Sequence, residues 1–398
     1  MRTAGIIAEY NPFHNGHLYH IARTRELTGA EAVVCVMSGD FVQRGEAAVF
    51  SKFVRAEAAV RAGADLVLEL PLPWSIASAE GFAQGAVGLL DATGVVDCIS
   101  FGSECGDMAA LTELTEVLGR EETEEKLRQQ LRSGVSYPVA RERAVASVLG
   151  VETAAMLHTP NNILGIEYLR ALAKQGSGMI PYTVKREGGA HDGENSASEM
   201  RKRLRNGESI NEMTPACCAE VWERERREGR FVTMDALETA LLSRLRMLPL
   251  SAYEKLPDAS EGLENRLYAA ARAGESWEAI LDSAAAKRYP RARLRRMLLC
   301  AVLGVEKGMA AGIPPYIRPL AANETGRVLL GEMKKTAAVP IISRGGDARE
   351  HGGEIERIFD LGSRAHDLYV LGYQRIEERR ADEDYRRSTL FLAFCNKK

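Results

Sequence analysis

The first 190 residues alternate short apolar runs with longer stretches of helical periodicity. The apolar runs, each bounded by Gly, Pro or polar residues, predict strands over 4–8, 32–37, 65–70, 98–101 and 179–183. The stretches between them predict helices over 16–28, 51–63, 78–93, 108–132 and 162–174. This alternation is typical of βαβ units, so we expect a Rossmann-like parallel sheet with helices on both faces. Ligands of such sheets bind at the carboxyl ends of the strands.

The second half of the chain has a different, mainly helical pattern. Charged helical periodicity covers 195–206, 213–228, 234–246, 262–273, 276–285 and 290–304. A strand pair is predicted at 328–330 and 339–343, and the charged tail 376–387 is compatible with helix or coil. We therefore expect an α/β domain over 1–190, followed by a mainly helical domain over 191–398.

Composition narrows the class of protein only slightly. The 398 residues are 45% hydrophobic and 27% charged, as in ordinary soluble domains, and the net charge of -3 indicates no global attraction to nucleic acid. Seven cysteines occur without a C-x-x-C pair, which favours reduced thiols. The apolar run 4–8 is too short for a signal peptide or a membrane span. The sequence therefore predicts a soluble cytoplasmic protein.

The strongest chemical motif follows the first predicted strand. Pro12 prevents a helix from starting earlier, so His14-Asn15-Gly16-His17 is expected to open the next helix. Residues three apart share a helix face, so both imidazoles are expected in one pocket, while Gly16 lets phosphates approach the backbone. With the positive end of the helix, this arrangement suits a triphosphate that reacts at its α-phosphorus.

Two other interpretations of this motif remain open at this stage. The histidines are also compatible with a metal site, although no Cys or second His cluster follows at metal-ligand spacing. They are also compatible with surface positions that have no role. His20, one turn further on, is expected to be structural, and the sequence identifies no metal ligand.

Further polar residues follow the predicted strands or open the predicted helices. Among them, Ser38, Gly39 and Arg44 are candidate phosphate contacts. Lys52 is a candidate catalytic residue, and Lys52 and Arg55 are equally compatible with a solvated basic face. Asn161 or Asn162 is predicted to be the N-cap of the helix that follows.

A basic segment, KRYPRARLRR over 287–296, is uninterrupted by acidic residues. Such a cluster with an aromatic residue suits an RNA backbone and an unstacked base, whereas the usual role of a charge run is a solvated face. Together with a rigid Pro-rich stretch at 314–318, it predicts an RNA-binding surface. Its candidate residues are Lys287, Arg288, Arg291, Arg295, Arg296 and Arg318.

The chain resembles the HxGH nucleotidyltransferases and, within them, the tRNA(Met) cytidine acetate ligase family. The resemblance rests on GIIAEYNPFHNGHLYH at 5–20, VMSGDFVQRGEAAVFSKFVRAEAA at 36–59, FGSECGD at 101–107 and TPNNILGIEYLRAL at 159–172. It continues through EGLENRL at 261–267, KRYPRARLRRM at 287–297 and PPYIRPLA at 314–321. The last hundred residues match least, and Asp40 is an acidic residue that departs from the family pattern.

The resemblance implies a two-step ligase that uses ATP, Mg²⁺, acetate and elongator tRNA(Met). Acetate is activated as acetyl-adenylate, and the acetyl group then passes to the wobble cytidine. His14 and His17 are implied to be catalytic. Because 196–201 resembles the second phosphate-binding signature of this superfamily, Ser198 and Arg201 are implied to be phosphate contacts, a role as compatible with the sequence as simple helix capping. The family pattern also gives Asn162 as the alternative to Asn161 for a contact with ATP. The implied ATP ligands are Ile7, Ala8, Glu9, Tyr10, Asn11, Pro12, Phe13, His14, Asn15, Gly16, His17, Leu18, Tyr19, His20, Gly102, Asn161 and Arg186.

Two other functions are compatible with parts of this pattern. One is an HxGH adenylyltransferase that acts on a small substrate without RNA, against which the long helical half with its basic cluster argues. The other is a non-catalytic RNA-binding protein that has kept the fold, against which the intact His14, Gly16 and His17 argue.

Overall fold

A seven-stranded sheet is the centre of the molecule. The computed structural model describes residues 1–186, 196–260, 262–286 and 289–393. Its strands are β1 (Thr3–Ala8), β2 (Ala32–Ser38), β3 (Phe41–Val42), β4 (Glu46–Ala47), β5 (Leu66–Leu70), β6 (Cys98–Ser103), β7 (Ile180–Lys185), β8 (Arg318–Ala322) and β9 (Leu390–Phe391). The sheet order is β7-β6-β1-β2-β5-β8-β9, and β3 and β4 form a separate hairpin.

Helices cover both faces of this sheet and form most of the second half. The first group is α1 (Asn15–Thr28), α2 (Lys52–Arg61), α3 (Ala79–Ala92), α4 (Met108–Leu118), α5 (Glu121–Arg132), α6 (Tyr137–Leu149), α7 (Val151–Ala154) and α8 (Pro160–Gln175). The second is α9 (Ala197–Arg205), α10 (Ala216–Arg227), α11 (Met234–Met247), α12 (Leu250–Glu254), α13 (Leu263–Ala273), α14 (Trp277–Ala284) and α15 (Arg291–Leu303). The last is α16 (Glu324–Thr336), α17 (Ala348–His351), α18 (Gly353–Val370) and α19 (Glu383–Arg386). Within the described residues, none of these helices has the length and apolar character needed to cross a membrane.

The strand order fixes where a ligand can enter. β1 pairs in parallel with β2 on one side and with β6 on the other, so the order of strands reverses at β1. The carboxyl ends of β1 and β6 therefore border the crevice that open α/β sheets use for binding. The predicted fold class is confirmed, and every strand predicted in the first half is present.

The edge of the sheet differs from the prediction. β8 comes from the second half and pairs antiparallel with β5, so the sheet is not confined to the first 190 residues. The expected strand at 328–330 is wrong, because this stretch lies inside α16, where Leu329, Leu330 and Met333 are buried at helical spacing and Asn323 is the N-cap. The other expected strand, 339–343, is reduced to a single β-bridge between Ile341 and Ile317, the residue that precedes β8.

Three hydrophobic clusters organise the core. One lies between the sheet and the α3–α8 face, and the second lies between the sheet and α1, α2, α9 and α10 on the opposite face. The third is built from α11 to α15 together with α18. The helices predicted between 195 and 304 are thus present, and α9 and α10 pack on the sheet rather than in the third cluster.

A buried network of ion pairs joins the last part of the chain to the loops of the sheet. Lys52 Nζ contacts Glu69 at 2.7 Å and Asp384 at 2.8 Å, and Arg318 contacts the same two carboxylates at 3.4 and 3.1 Å. Beside them, the His366 ring contacts Asp40 at 2.7 Å. Lys52 and the five side chains around it are all buried, so each charge in the network is compensated only by its partners. These five are Asp40, Glu69, Arg318, His366 and Asp384.

We predict that Asp384→Asn destabilises the protein by about 3–5 kcal/mol, because it leaves Lys52 and Arg318 with uncompensated buried charge. Urea unfolding followed by circular dichroism measures this change. The matched control is Glu122→Gln, which removes one partner of the exposed pair Glu122–Lys126 and should leave the unfolding midpoint unchanged. A midpoint shift as small as that of the control would contradict the structural role of the network.

His366 predicts a pH dependence of stability. Burial lowers its pKa, but Asp40 and Glu383 raise it to about 10. Because the folded-state pKa lies above the unfolded value near 6.5, this stabilisation is complete below pH 6.5 and is lost between pH 6.5 and 10. The free energy of unfolding should fall by about 1.4 kcal/mol per pH unit across that window. His366→Gln should abolish this slope, whereas the exposed His351→Gln should retain it.

Candidate functional site

The segment between β1 and α1 makes a tight, buried turn. Tyr10 has a φ of 47°, a left-handed conformation that a bulky residue adopts only where its surroundings hold it. Its hydroxyl lies 3.4 Å from Cys35 Sγ, and its ring packs 4.8 Å from both Phe13 and His17. The strained turn is therefore fixed by aromatic packing directly beneath the histidine motif.

His14 and His17 form reciprocal hydrogen bonds at the start of α1. The Gly16 N–H donates to His14 Nδ1 at 3.0 Å, and the His14 N–H donates to His17 Nδ1 at 3.2 Å. His14 is thus the N-cap of the helix, in a capping-box arrangement. Since both Nδ1 atoms accept, each neutral ring carries its proton on Nε2. Neither Nε2 atom has a hydrogen-bond partner among the residues that the structure describes.

The two rings lie side by side, in agreement with the shared helix face expected from their spacing. They are stacked with centroids 3.7 Å apart. Burial, with smaller contributions from Arg186 and Arg201, lowers the pKa of His14 to about 4. Burial and the His14 ring also lower the pKa of His17 well below its usual value. Both imidazoles are therefore neutral hydrogen-bond donors near pH 7.

Gly16 is required by the histidine pair itself. A Cβ at this position would lie 2.9 Å from His14 Cε1 and 3.0 Å from His14 Nδ1. The ring of the N-cap folds back over the glycine, so any side chain here displaces it. This steric reason adds to the close phosphate approach expected from the sequence.

His20 lies in the next turn, in the structural position expected. Its Nε2 atom is 3.2 Å from Ser100 Oγ on β6, and Thr24 donates to the same hydroxyl at 2.7 Å. Burial lowers the pKa of His20 to about 4. The ring therefore ties α1 to the sheet.

The β6–β7 side of the crevice brings together the other predicted ATP ligands. Gly102 pairs with Val184, and a Cβ at Gly102 would lie 3.2 Å from Arg186 Cγ. The Arg186 N–H donates to the Ser103 carbonyl at 2.9 Å, which fixes the Arg186 backbone just after the carboxyl end of β7. The Arg186 side chain is exposed. Arg186 also contributes to the lowered pKa of His14, which places it close to the histidine pair.

Glu104 organises the start of α8. Its carboxylate accepts from the Asn161 side chain at 2.7 Å and from the backbone N–H groups of Asn161 and Asn162. Asn162 Oδ1 accepts in turn from the Glu104 and Cys105 N–H groups. The prediction that one of the two asparagines is the N-cap is wrong, because the N-cap is Thr159 and Glu104 satisfies the free helix N–H groups.

A second charged group borders the turn from α9 and the β3–β4 hairpin. Arg201 donates to the Asn11 carbonyl at 2.9 Å and to Ser198 Oγ at 3.2 Å, and it lies 3.3 Å from the Glu46 carboxylate. Burial raises the pKa of Glu9, and Arg44 and Arg201 partly offset that effect. Arg44, Ser198 and Arg201 thus lie around Glu9, at the edge of the pocket, where the sequence placed phosphate contacts.

Arg55 lies beneath the site as a buried connector, which excludes the solvated basic face considered for it. Its guanidinium donates to the backbone carbonyls of Phe50 at 2.9 Å, Ser38 at 3.1 Å, Glu9 and Gly39. One side chain thereby holds the loops after β1 and β2 together. No sequence pattern distinguishes this arginine from an exposed one, because its partners are backbone carbonyls.

Three predicted site residues lie away from the pocket surface. Ser38 and Gly39 are buried, and their carbonyls are occupied by Arg55. Lys52 is 2% exposed and is held by Glu69 and Asp384, so its ammonium group is part of the ion-pair network. This geometry argues against the expected phosphate and catalytic roles. Asp40, the departure from the family pattern, accepts from the Lys52 N–H at 2.7 Å and pairs with His366.

Acidic residues of α14 neutralise part of the positive charge of the basic segment. Arg291 pairs with Glu278 and Asp282 from α14, and Arg295 lies 3.6 Å from Glu278. Arg318 was expected on the RNA surface, but it is 3% exposed inside β8, so that prediction is wrong. Lys287 and Arg288 lie outside the described residues. Arg296 is half-buried and faces a cavity considered below.

The described residues contain no group of three or more His, Cys, Asp or Glu side chains arranged to hold a metal ion. Glu46 lies close enough to Glu9 to raise the pKa of that carboxyl group. These two side chains are a pair of neighbouring carboxylates and do not by themselves form a metal-binding cluster. The zinc interpretation of His14 and His17 also conflicts with their Nδ1 hydrogen bonds and stacked rings.

Comparison with known proteins places this chain in a class. A family model described as HIGH Nucleotidyl Transferase matches residues 1–384. The tRNA(Met) cytidine acetate ligase of Thermoanaerobacter sp. (strain X514) is 40% identical over 390 residues, covering 94% of this chain and 96% of that protein. The ligase of the same name from Syntrophotalea carbinolica is 41% identical over 357 residues, covering 86% and 85%.

The solved structures agree with these relatives. Thermotoga maritima TmcAL bound with alpha-thio ATP superposes with a TM-score of 0.93 and 36% identity, covering 99% of this chain and 100% of that one. The apo form of the same protein gives a TM-score of 0.94. The chain belongs to the tRNA(Met) cytidine acetate ligase family. The family and the ligase class predicted from the sequence are confirmed.

We predict that Gly16→Ala retains the fold but lowers adenylate formation by about 100-fold. The new Cβ would lie 2.9 Å from His14 Cε1, which is too close, so the His14 ring must move out of its position. Acetate-dependent exchange of pyrophosphate into ATP measures this step. The control is Gly331→Ala in α16, where a Cβ meets nothing within 4 Å. Exchange in Gly16→Ala equal to that of the control would refute the steric argument.

Proposed function

We propose that this chain activates acetate with ATP and transfers the acetyl group to N4 of the wobble cytidine of elongator tRNA(Met). The observation that carries the proposal is the stacked His14–His17 pair at the N-terminus of α1, whose Nδ1 bonds leave the two Nε2–H groups as donors for a ligand. Membership of the tRNA(Met) cytidine acetate ligase family supports the same reaction.

ATP is expected to lie across the carboxyl ends of β1 and β6. The turn and first helical residues over 7–20 surround the phosphates, while Gly102 and Arg186 border the nucleoside side. Asn161 is held at this border by Glu104, which makes Glu104 a positioning residue that the sequence alone did not identify. The likeness to a relative bound with alpha-thio ATP supports this placement.

In the first step, an acetate oxygen attacks the α-phosphorus of ATP, and the bond from that phosphorus to the bridging oxygen of pyrophosphate breaks. The phosphoryl oxygens gain charge, which the His14 and His17 Nε2–H donors and the α1 N-terminus stabilise. Arg44 and Arg201 balance the charge of the departing pyrophosphate. Because the histidines are neutral, they act as hydrogen-bond donors rather than as cations.

In the second step, the cytidine N4 attacks the acetyl carbonyl carbon, the bond from that carbon to AMP oxygen breaks, and N4 loses a proton. Both steps depend on positioning and charge stabilisation, so the chain needs no covalent intermediate. Mg²⁺ is expected to enter with ATP and to be held mainly by its phosphates, with Glu9 and Glu46 as the carboxylates at that edge.

The tRNA is expected to contact the helical half around α15. Arg295 and Arg296 are the central residues of this surface, while Arg291 is partly neutralised by Glu278 and Asp282. The division of labour between an ATP-binding part near 1–190 and an RNA-binding part in 191–398 remains our proposal, with β8 and β9 assigned to the ATP-binding part. A tRNA substrate implies a cytoplasmic location.

We predict that His14→Ala and His17→Ala each lower adenylate formation by at least about 100-fold while leaving tRNA affinity nearly unchanged. The assay incubates the protein with α-labelled ATP, Mg²⁺ and acetate, with and without elongator tRNA(Met), and detects AMP and acetylcytidine. The matched control is His158→Ala, an exposed histidine that pairs with Glu142. Absence of ATP consumption by the unmodified protein would contradict the proposed reaction, whereas adenylate without acetylcytidine would contradict only the acceptor.

A further inference from the structure

A cavity of about 300 Å³ separates the loop after β5 from the helical half. One wall is formed by residues of that loop and the start of α3, including Ile76, Ala77 and Ser78. The opposite wall comes from Asp258 and from α15, including Arg296 and Met297. A volume of this size is at the lower limit for small-molecule pockets, so it fits one nucleoside and excludes an RNA helix.

The β3–β4 hairpin lies between the cavity and the turn after β1, and Gln43 contacts both sides. The Gln43 N–H donates to the Glu9 carboxylate at 3.0 Å, and the Gln43 side chain reaches the Ala77 carbonyl at 3.5 Å. Ala77 thus marks the end of the cavity nearest the histidine pair. Gly102 and Arg186 lie on the β6–β7 side of β1, whereas the cavity lies on the β5 side. A second nucleoside therefore has its own place, opposite that of ATP.

Two charged side chains, Arg296 and Asp258, line this cavity. Neither the Arg296 guanidinium nor the Asp258 carboxylate has a hydrogen-bond or ion-pair partner among the described residues. Burial lowers the pKa of Arg296 and Asp258 opposes that effect, which shows that the two groups are near each other. Asp258 has a φ of 62°, and Arg293 fixes its carbonyl at 2.8 Å, so this rim is a built feature.

We propose that this cavity receives the acceptor cytosine of the tRNA, unstacked from its loop; this inference rests on the proposed function. Proteins that read single-stranded RNA take up unstacked bases and contact their polar edges. Arg296 donates to the O2 and N3 acceptors of cytosine, and the exposed Asp258 accepts from the ribose hydroxyls at the mouth. The N4 amino group is then directed to the Ala77 end, towards the adenylate.

The chain offers two independent ways to test this site. Arg296→Gln removes the proposed base contact, and Ala311→Trp fills the mouth from an exposed lining position without altering any residue of the ATP site. Arg357→Gln, an exposed arginine on α18, controls for the loss of one positive charge. Each protein is assayed for pyrophosphate exchange, for acetyl transfer to tRNA, and for binding of anticodon stem-loops with cytidine or uridine at the wobble position.

We expect both cavity variants to retain pyrophosphate exchange and to lose about tenfold or more in acetyl transfer, because a hydrogen bond from a charged group is removed or blocked. The preference for the cytidine stem-loop should disappear in Arg296→Gln without a change in its salt dependence, which identifies a base contact rather than a phosphate contact. Arg357→Gln should behave as the unmodified protein.

Opposite results separate the two proposals. Unimpaired acetyl transfer and unchanged cytidine preference in both variants would overturn the cavity assignment while leaving the ligase reaction established. A salt-dependent loss of binding that is equal for both stem-loops would show that Arg296 contacts phosphate, which also overturns it. Failure of the unmodified protein to acetylate any cytidine would instead reject the proposed function.

Discussion

The chemistry of this protein depends on two backbone hydrogen bonds that end on histidine rings. By accepting from the Gly16 and His14 N–H groups, the His14 and His17 Nδ1 atoms fix ring orientation and tautomer together. The same bonds cap α1, so the helix and the site form as one unit. Tyr10 and Phe13 below the rings and Arg55 behind the turn then hold that unit on the sheet.

The β3–β4 hairpin has a comparable connecting role between the two halves. Gln43 contacts Glu9 on one side, and a Cβ at Gly45 would lie 2.7 Å from Arg295 Cβ on the other. Gly45 has a φ of 78°, so only glycine combines this backbone with such close packing. The helix that carries the basic segment is therefore positioned by the same hairpin that borders the ATP site.

The sequence was sufficient for features set by local periodicity and spacing, and insufficient for those set by distant partners. The parallel strands and the shared pocket of His14 and His17 follow from period and helix geometry. Lys52 and Arg318 were misplaced because their carboxylate partner, Asp384, lies 332 positions after Lys52. β8 was missed because its short run contains Pro319 and its longest pairing is with β5, a strand from the first half.

The sheet that carries the His14–His17 pair is completed by two strands from the second half of the chain. β5 has an open edge until β8 pairs with it, and Lys52 lacks its second carboxylate until Asp384 is present. An unfinished chain thus exposes a bare strand edge and an uncompensated lysine, conditions that promote aggregation. The first 190 residues therefore do not form an independent folding unit, because their sheet edge and their buried lysine both depend on the second half.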